Sequence, residues 1–591
     1  MNIINRVTSL RSLMKTRGID AYLIYGTDPH LSEYVPDAWR SREWISGFTG
    51  SYGKVVITSD RAILWTDSRY FIQAESQLSG TGIEMIRDRQ ADTIPVDGWL
   101  ARELSPGGMV AIDGLTISAS EAKLLEQKLG AKGIALDLSV DLVTELWANR
   151  PALPLAGIDD YPACFAGLSR PEKLAQIRNQ LTGTGAGATL ICQLDDLAWS
   201  FNLRGNDISY NPLFTGYGYV DHQQAVLFVD GVKVSDELKG VLERDGIRVM
   251  NYESVFSLLE SLVLPPCYLD PDRTNSLIYQ LVTKSSKVID GLSLPTLLKS
   301  VKNEVEISGM REAHLRDGVA MVNFLYWFDT HFKKEKITEL SVAEKLKTFR
   351  SAQDHFRGES FCPTVAFGSH GAIVHYSATP ESEFEVATDG ILLFDSGGQY
   401  LDGTTDITRT IATGKVTPQQ QMDFTLVLKG MIQLAKAVFP ENTKGYSLDT
   451  LARNALWNNG LNYGHGTGHG VGHYLSVHEG PMAIRPEYNA EPIRAGQVIT
   501  DEPGLYRTGE YGIRIENVLL CKKDCLSDFG QFLSFDTLTF CPIDRKLINR
   551  LMLTDDELRW INNYHSDVYI NLATRLDENV QKWLKPQCDQ L

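Results

Sequence analysis

The chain has no apolar run approaching the roughly 18 residues that a membrane-spanning helix needs. Its eight cysteines, scattered from Cys164 to Cys588 along 591 residues, lack the density of a disulfide framework and read as reduced thiols. Cys521 and Cys525 stand four apart, but no second Cys/His pair follows to complete a zinc site. Positive charge is also scarce. With 57 Lys and Arg against 74 Asp and Glu, the formal charge is −17, which disfavours a protein that grips a phosphate backbone. Low-complexity tracts and long charge blocks are absent, and 43% apolar with 22% charged residues is the balance of a folded globular protein. The opening Met1-Asn2-Ile3-Ile4-Asn5-Arg6 does not join a charged segment to an apolar one as a secretion signal would. The expectation is a cytoplasmic protein with neither nucleic acid nor membrane as partner.

At about 100 to 200 residues per domain, a chain of this length divides into three domains or so. Val7, Leu10 and Met14 predict a helix over about 3 to 17, closed by Gly18, and Ala21-Tyr22-Leu23-Ile24 predicts a buried strand. Strands over Lys54 to Thr58 and Ala62 to Trp65 follow the plain turn Gly47-Phe48-Thr49-Gly50-Ser51, which lacks the lysine and spacing of a phosphate loop. Near 170 the order begins again: a helix from Pro171 to Leu181, a strand Ala188-Thr189-Leu190-Ile191, a connection through Pro212 to Gly218 and a strand Ala225 to Val229. This is an imperfect internal repeat. Pro151, Pro154 and Pro162 mark the linker between its copies. A third composition starts at Lys302-Asn303-Glu304-Val305-Glu306. The resulting domains are 1–154, 155–300 and 301–591. Neither repeat copy gathers titratable residues, so their expected role is structural, whereas the end of the chain, from the capping box Thr554 to Glu557 onward, should pack on the third domain.

Seven of the 12 histidines (His355, His370, His375, His465, His469, His473 and His478) fall between His355 and Glu479, within that third domain. Three of them sit four residues apart in Gly464-His465-Gly466-Thr467-Gly468-His469-Gly470-Val471-Gly472-His473, a poor helix whose glycines leave room for close approach. Acidic residues stand on nearby strand-like runs: Asp395 after Ile391-Leu392-Leu393-Phe394, Asp406 before Ile407-Thr408, Glu502 after Val498-Ile499-Thr500, and Glu516 after Ile513-Arg514-Ile515. Alternation puts Asp406, Thr408 and Thr410 on one face, and Arg514 with Glu516 on another. Gly397-Gly398 predicts a hairpin that brings Asp395 to Asp406. One such acid alone reads as a cap or an ion-pair member. Four carboxylates with an imidazole would repel one another without a cation, and their oxygen-rich chemistry suits manganese, with zinc or cobalt as substitutes, in a pair of divalent ions.

The ordered set resembles the dinuclear site of the pita-bread metallopeptidases, and more narrowly the long, three-domain Xaa-Pro aminopeptidases. The motifs are Leu393-Phe394-Asp395-Ser396-Gly397, Thr405-Asp406-Ile407-Thr408-Arg409-Thr410, His465-Gly466-Thr467-Gly468-His469-Gly470, Asp501-Glu502-Pro503-Gly504 and Arg514-Ile515-Glu516-Asn517. Trp65 to Phe71, Asn202 to Ile208 and the tail from Phe535 to Ile548 extend the resemblance over the whole chain. It implies an α/β (α+β) fold of two related creatinase-like amino-terminal domains and a pita-bread catalytic domain. It implies Asp395 on one metal, Asp406 and Glu516 bridging both, and His469 with Glu502 on the other. It also places His375 and His478 near the substrate and His465 above the metals, makes Glu502 the general base, and implies a homodimer. His473 keeps a structural reading; His355 and His370 remain unassigned.

The implied activity releases the amino-terminal residue from peptides with proline in second position, by attack of a metal-activated hydroxide on the Xaa-Pro bond. That bond is a tertiary amide without N–H and with φ fixed near −65°, so a peptidase that grips the N–H would fail. Prolidase, which cleaves Xaa-Pro dipeptides, is the nearest alternative. A methionine aminopeptidase would not need the duplicated amino-terminal region, and a metal-free pita-bread binding protein would not keep every ligand position filled.

Overall fold

The computed structural model describes residues 2–90, 92–261 and 265–591. It divides into two compact units, one running through Ala163 and including Leu168–Leu297, the other formed by Leu298–Leu591 together with Cys164–Gly167.

In the first unit, helix Ile3–Arg17 buries Val7, Leu10 and Met14, and Gly18 ends it at φ 68°, a left-handed conformation that glycine adopts without strain. The buried strand Ala21–Tyr25 then enters a six-stranded sheet in the order Glu84–Arg87, Ala62–Thr66, Lys54–Thr58, Ala21–Tyr25, Met109–Ala111, Ala135–Asp137. A second sheet has the order Ile247–Met250, Ala225–Phe228, Tyr217–Asp221, Ala188–Ile191, Cys267–Leu269, Val288–Asp290. In both, the central strand pairs antiparallel on one side and parallel on the other, and both outer pairs are parallel. The repeat legible in the sequence is thus a repeat of topology. The sequence pattern leaves Tyr217–Asp221 as a connection, yet it is a strand. Its Gly218 has no room for a Cβ, which would meet Phe201 at 2.8 Å and Leu197 at 2.9 Å.

In the second unit, Asn303 and Glu306 form the capping box of helix Glu304–His331, which fixes where that long helix begins. Three antiparallel strands follow, Thr364–Phe367, Ile391–Ser396 and Ile407–Ala412. A six-stranded sheet runs in the order Phe439–Pro440, Gly530–Thr537, Asn517–Ser527, Val498–Asp501, Gly468–Gly470, Glu479–Ile484, and a separate hairpin pairs Gly504–Arg507 with Tyr511–Arg514. Ile513 and Ile515 share one buried cluster with Phe424, Val427 and Met431 of helix Pro418–Ala435 and with Ile561, Tyr564 and Val568 of helix Asp555–Leu572. Helix Asp555–Leu572 therefore packs within this unit. Arg409 fastens the contact from beneath: buried, it donates to the carbonyls of Glu516 and Cys541 and to the Tyr564 hydroxyl, so its charge is solvated by protein groups.

Candidate metal centre

Each acidic side chain reaches the site because its strand neighbours are committed elsewhere. Leu392 and Phe394 enter an apolar cluster with Ile407 and Ile411, which turns Asp395 and Thr408 to the opposite face, where they are cross-strand partners. Asp406 immediately precedes Ile407–Ala412. Arg514 and Glu516 face the site because Ile513 and Ile515 face the core. Glu502 follows Val498–Asp501 directly. Asp395 and Asp406 do meet between adjacent antiparallel strands, although the link is not the simple hairpin expected. Gly398–Tyr400 and Gly403–Thr404 fold out between them and pair with each other, and Gly398–Tyr400 pairs on its other side with Phe356–Glu359, in a sheet of their own.

The glycine-rich stretch also departs from expectation. Gly468–Gly470 is an inner strand of the six-stranded sheet, and what approaches its glycines is the protein itself. A Cβ on Gly468 would lie 1.9 Å from the Thr500 carbonyl oxygen, one on Gly470 2.3 Å from that of Glu479, and one on Gly472 2.6 Å from that of Ser476. These are impossible separations, so glycine lets two strands close around His469.

Asp406, His469 and Glu516 offer ligand atoms that all lie within 4.8 Å of one another, and among the described residues no other group of His, Cys, Asp or Glu does so. His469 Nε2 is 3.6 Å from Asp406 and 3.5 Å from Glu502. Its Nδ1 lies 2.9 Å from the Gly470 carbonyl, so Nδ1–H donates there and Nε2 keeps its lone pair for the site. Asp406 and Glu516 are buried, while the side chains of His469 and Glu502 stay 21% and 18% exposed, which marks the open side.

Burial, and next the repulsion of Asp395 and Glu502, hold Asp406 well above the usual carboxylate range. Glu516 is raised well above its ordinary value by burial, then by Asp406, Glu502 and Asp395. Burial pushes Glu502 up to about 7, Asp395 adding to it and Arg514 opposing. Arg514 donates to Asp395 at 2.6 Å and to the Tyr506 hydroxyl at 2.7 Å, whereas the other oxygen of Asp395 is buried without a hydrogen-bond partner. One guanidinium against four carboxylates leaves an excess of negative charge, which divalent cations would neutralise. The donor set and its geometry fit such ions.

His478 meets His469 edge to face at 4.4 Å between ring centroids. His465 Nε2 lies 2.8 Å from the Tyr506 hydroxyl. His375 follows Val374, whose carbonyl accepts from Arg514 at 3.4 Å. All three histidines are half-buried. His473 is buried against Gly309 of the long helix. His355 sits at φ 66° with its ring against Phe165. Thr408, Thr500 and Tyr506 complete the surroundings. Thr408 donates to Glu516 at 2.8 Å, and the Thr500 hydroxyl accepts from the His469 N–H at 3.0 Å. Tyr506 escaped the sequence reading, although alternation on Gly504–Arg507, with Leu505 in the core, would have pointed it here.

A cluster of carboxylates and imidazole at the end of buried strands, open on one side, is the centre of a metal-dependent hydrolase. Residues 308–523 match metallopeptidase family M24, 531–591 the C-terminal region of that peptidase, and 6–142 and 149–306 two creatinase/prolidase N-terminal domains. Aminopeptidase P1 of Lotus japonicus is 38% identical over 98% of both chains, and a probable Xaa-Pro aminopeptidase P of Aspergillus niger is 38% identical over 98% of this chain and 97% of its own. Among solved structures, the X-prolyl aminopeptidase of Caenorhabditis elegans, described as a cytosolic enzyme with a di-nuclear active site, superposes with a TM-score of 0.96 at 34% identity over the full length of both chains. This chain belongs to metallopeptidase family M24, among its Xaa-Pro aminopeptidases.

Proposed function

We propose that this enzyme removes the amino-terminal residue from peptides whose second residue is proline, using two divalent ions held by Asp395, Asp406, His469, Glu502 and Glu516. The carrying observation is the convergence of Asp406, His469 and Glu516 to within 4.8 Å, with Glu502 and Asp395 beside them. Asp406 and Glu516, the two buried carboxylates, would hold both ions, Asp395 one of them, and His469 with Glu502 the other. When bound, such ions act as Lewis acids and lower the pKa of a water to near neutrality.

The remaining work falls to the chain. Glu502, on the open side, is the base that takes the water's proton. His375 and His478 donate to the oxygen that becomes negative as the carbonyl is attacked. His465, steadied by Tyr506, orients the substrate beside them. The acidic cluster attracts a free terminal ammonium. Because the Xaa-Pro bond offers no N–H, recognition rests on that terminus and on the proline ring. Manganese is the ion best matched to a mainly carboxylate set. We further assign the protein to the cytoplasm, as its Caenorhabditis elegans relative is described, and to a homodimer. Among the described residues no helix is long and apolar enough to cross a membrane.

Metal analysis tests the assignment of ligands. Asp406→Ala should lose both ions and His469→Ala chiefly one, because a bridging carboxylate serves two. Two ions per chain and normal turnover in Asp406→Ala would refute it.

A further inference from the structure

We infer that Glu339 is a positioning residue for His375, an inference that rests on the role given to His375 above. Glu339 is the first residue of helix Glu339–Ser351 and is 0% exposed. A carboxylate there is favoured by the helix dipole, but burial demands more than that. Its partners supply it: one oxygen accepts from the Phe367 N–H at 2.7 Å and from His370 Nδ1 at 3.0 Å, the other from the Tyr376 hydroxyl at 3.0 Å and the Phe384 N–H at 2.8 Å. A carboxylate can only accept, so His370 carries its proton on Nδ1. The His370 ring is itself stacked between Tyr376, at 4.3 Å, and Phe384, at 3.5 Å.

These partners bracket one segment. Phe367 and His370 precede His375, Tyr376 follows it directly, and Phe384 closes the return of the chain. Between Ile373 and Phe384 no residue belongs to a helix or a strand, so side-chain anchors take over the work of a ladder. Gly371 also packs on Gly512, so closely that a Cβ on Gly512 would fall 1.7 Å from the Gly371 carbonyl oxygen. Gly512 lies on the strand that leads to Arg514 and Glu516. The segment is therefore held both by Glu339 and by the metal-site strand, and His375 lies in the chain between Gly371 and Tyr376, which make those two contacts. A histidine displaced by about 1 Å from a developing oxyanion forfeits on the order of 100-fold in rate, so release of this grip reads out in turnover.

The test is a double-mutant cycle on the metal-loaded full-length enzyme with an Xaa-Pro-Yaa peptide. Glu339→Gln should lower kcat about 10- to 100-fold with KM within about twofold. In a His375→Ala background the same change should cost less than about twofold, and metal content should stay at the wild-type level. Tyr376→Phe, which deletes one hydroxyl and keeps the ring stack, should show the same coupling at smaller amplitude, and it decides the matter alone if Glu339→Gln fails to fold. Equal fold losses in the two backgrounds, or loss of bound metal, overturn the inference while leaving the role of His375 intact. If His375→Ala turns over normally while Glu339→Gln does not, the inference and that role fall together.

Discussion

His375 and His478 are half-buried, and the role proposed for them is stabilising charge, distinct from holding ions. His375→Ala or His478→Ala should lower kcat by about 100-fold or more with metal content near wild type; unchanged turnover in both would return them to a structural role. The carboxylates yield a prediction about pH. Glu502 lies at about 7 instead of its ordinary 4.5, so the folded protein holds that proton more tightly than the unfolded chain. The stability this contributes is fully present below 4.5 and is lost as pH rises through about 7. Buried His565, held down at about 3, works the other way. The comparison is therefore between wild type and Glu502→Gln: the metal-free wild type should lose more in Tm between pH 5 and pH 7.5 than the variant does. Equal losses would show that Glu502 titrates normally. At this scale the members of the cluster were legible because Asp, Glu and His at strand ends are chemically expressive. Glu339 was not, since a lone acid at a helix start reads as an ordinary first-turn residue, and its four donors come from a segment more than twenty residues away.

The strand Gly468–Gly470 joins sequence to site at the scale of an element. None of its glycines has a positive φ, so they are required for space and not for backbone conformation. Gly468→Ala forces a methyl against the Thr500 carbonyl and should destabilise by about 1–3 kcal/mol, with weakened metal binding through His469. Gly466→Ala, whose Cβ would find its nearest neighbours at 3.4 and 3.5 Å, should be close to neutral. Denaturant unfolding of both checks this, and equal effects would remove the packing explanation. The glycines were plain in the sequence, but the strand was not: three residues carry no alternation to read, and the pairing that makes them a strand comes from Glu479–Ile484 and Val498–Asp501. The excursion Gly398–Gly403 was missed for a similar reason, because two-residue pairings leave no period.

Across the whole molecule, the repeat of helix and strand order at 3–65 and 170–229 announced two copies of one topology, and the structure supplies the register that no order of elements can give. Helix Asp555–Leu572 was legible from its capping box and apolar spacing, whereas Arg409, which ties that helix to Glu516, looked like one charge among many. The relatives match the chain almost end to end, so the full-length protein is the one to assay. The most direct measurement is therefore kinetic: hydrolysis of Xaa-Pro-Yaa, Xaa-Pro, acetyl-Xaa-Pro-Yaa and Xaa-Ala-Yaa peptides by the full-length protein, side by side, before and after removal of metal and readdition of manganese. The account predicts cleavage after Xaa in the free Xaa-Pro-Yaa peptide, loss of that cleavage on acetylation or metal removal, and a sharp fall in kcat/KM when alanine replaces proline. Hydrolysis confined to the dipeptide, equal rates on the alanine peptide, or full activity without metal would contradict it.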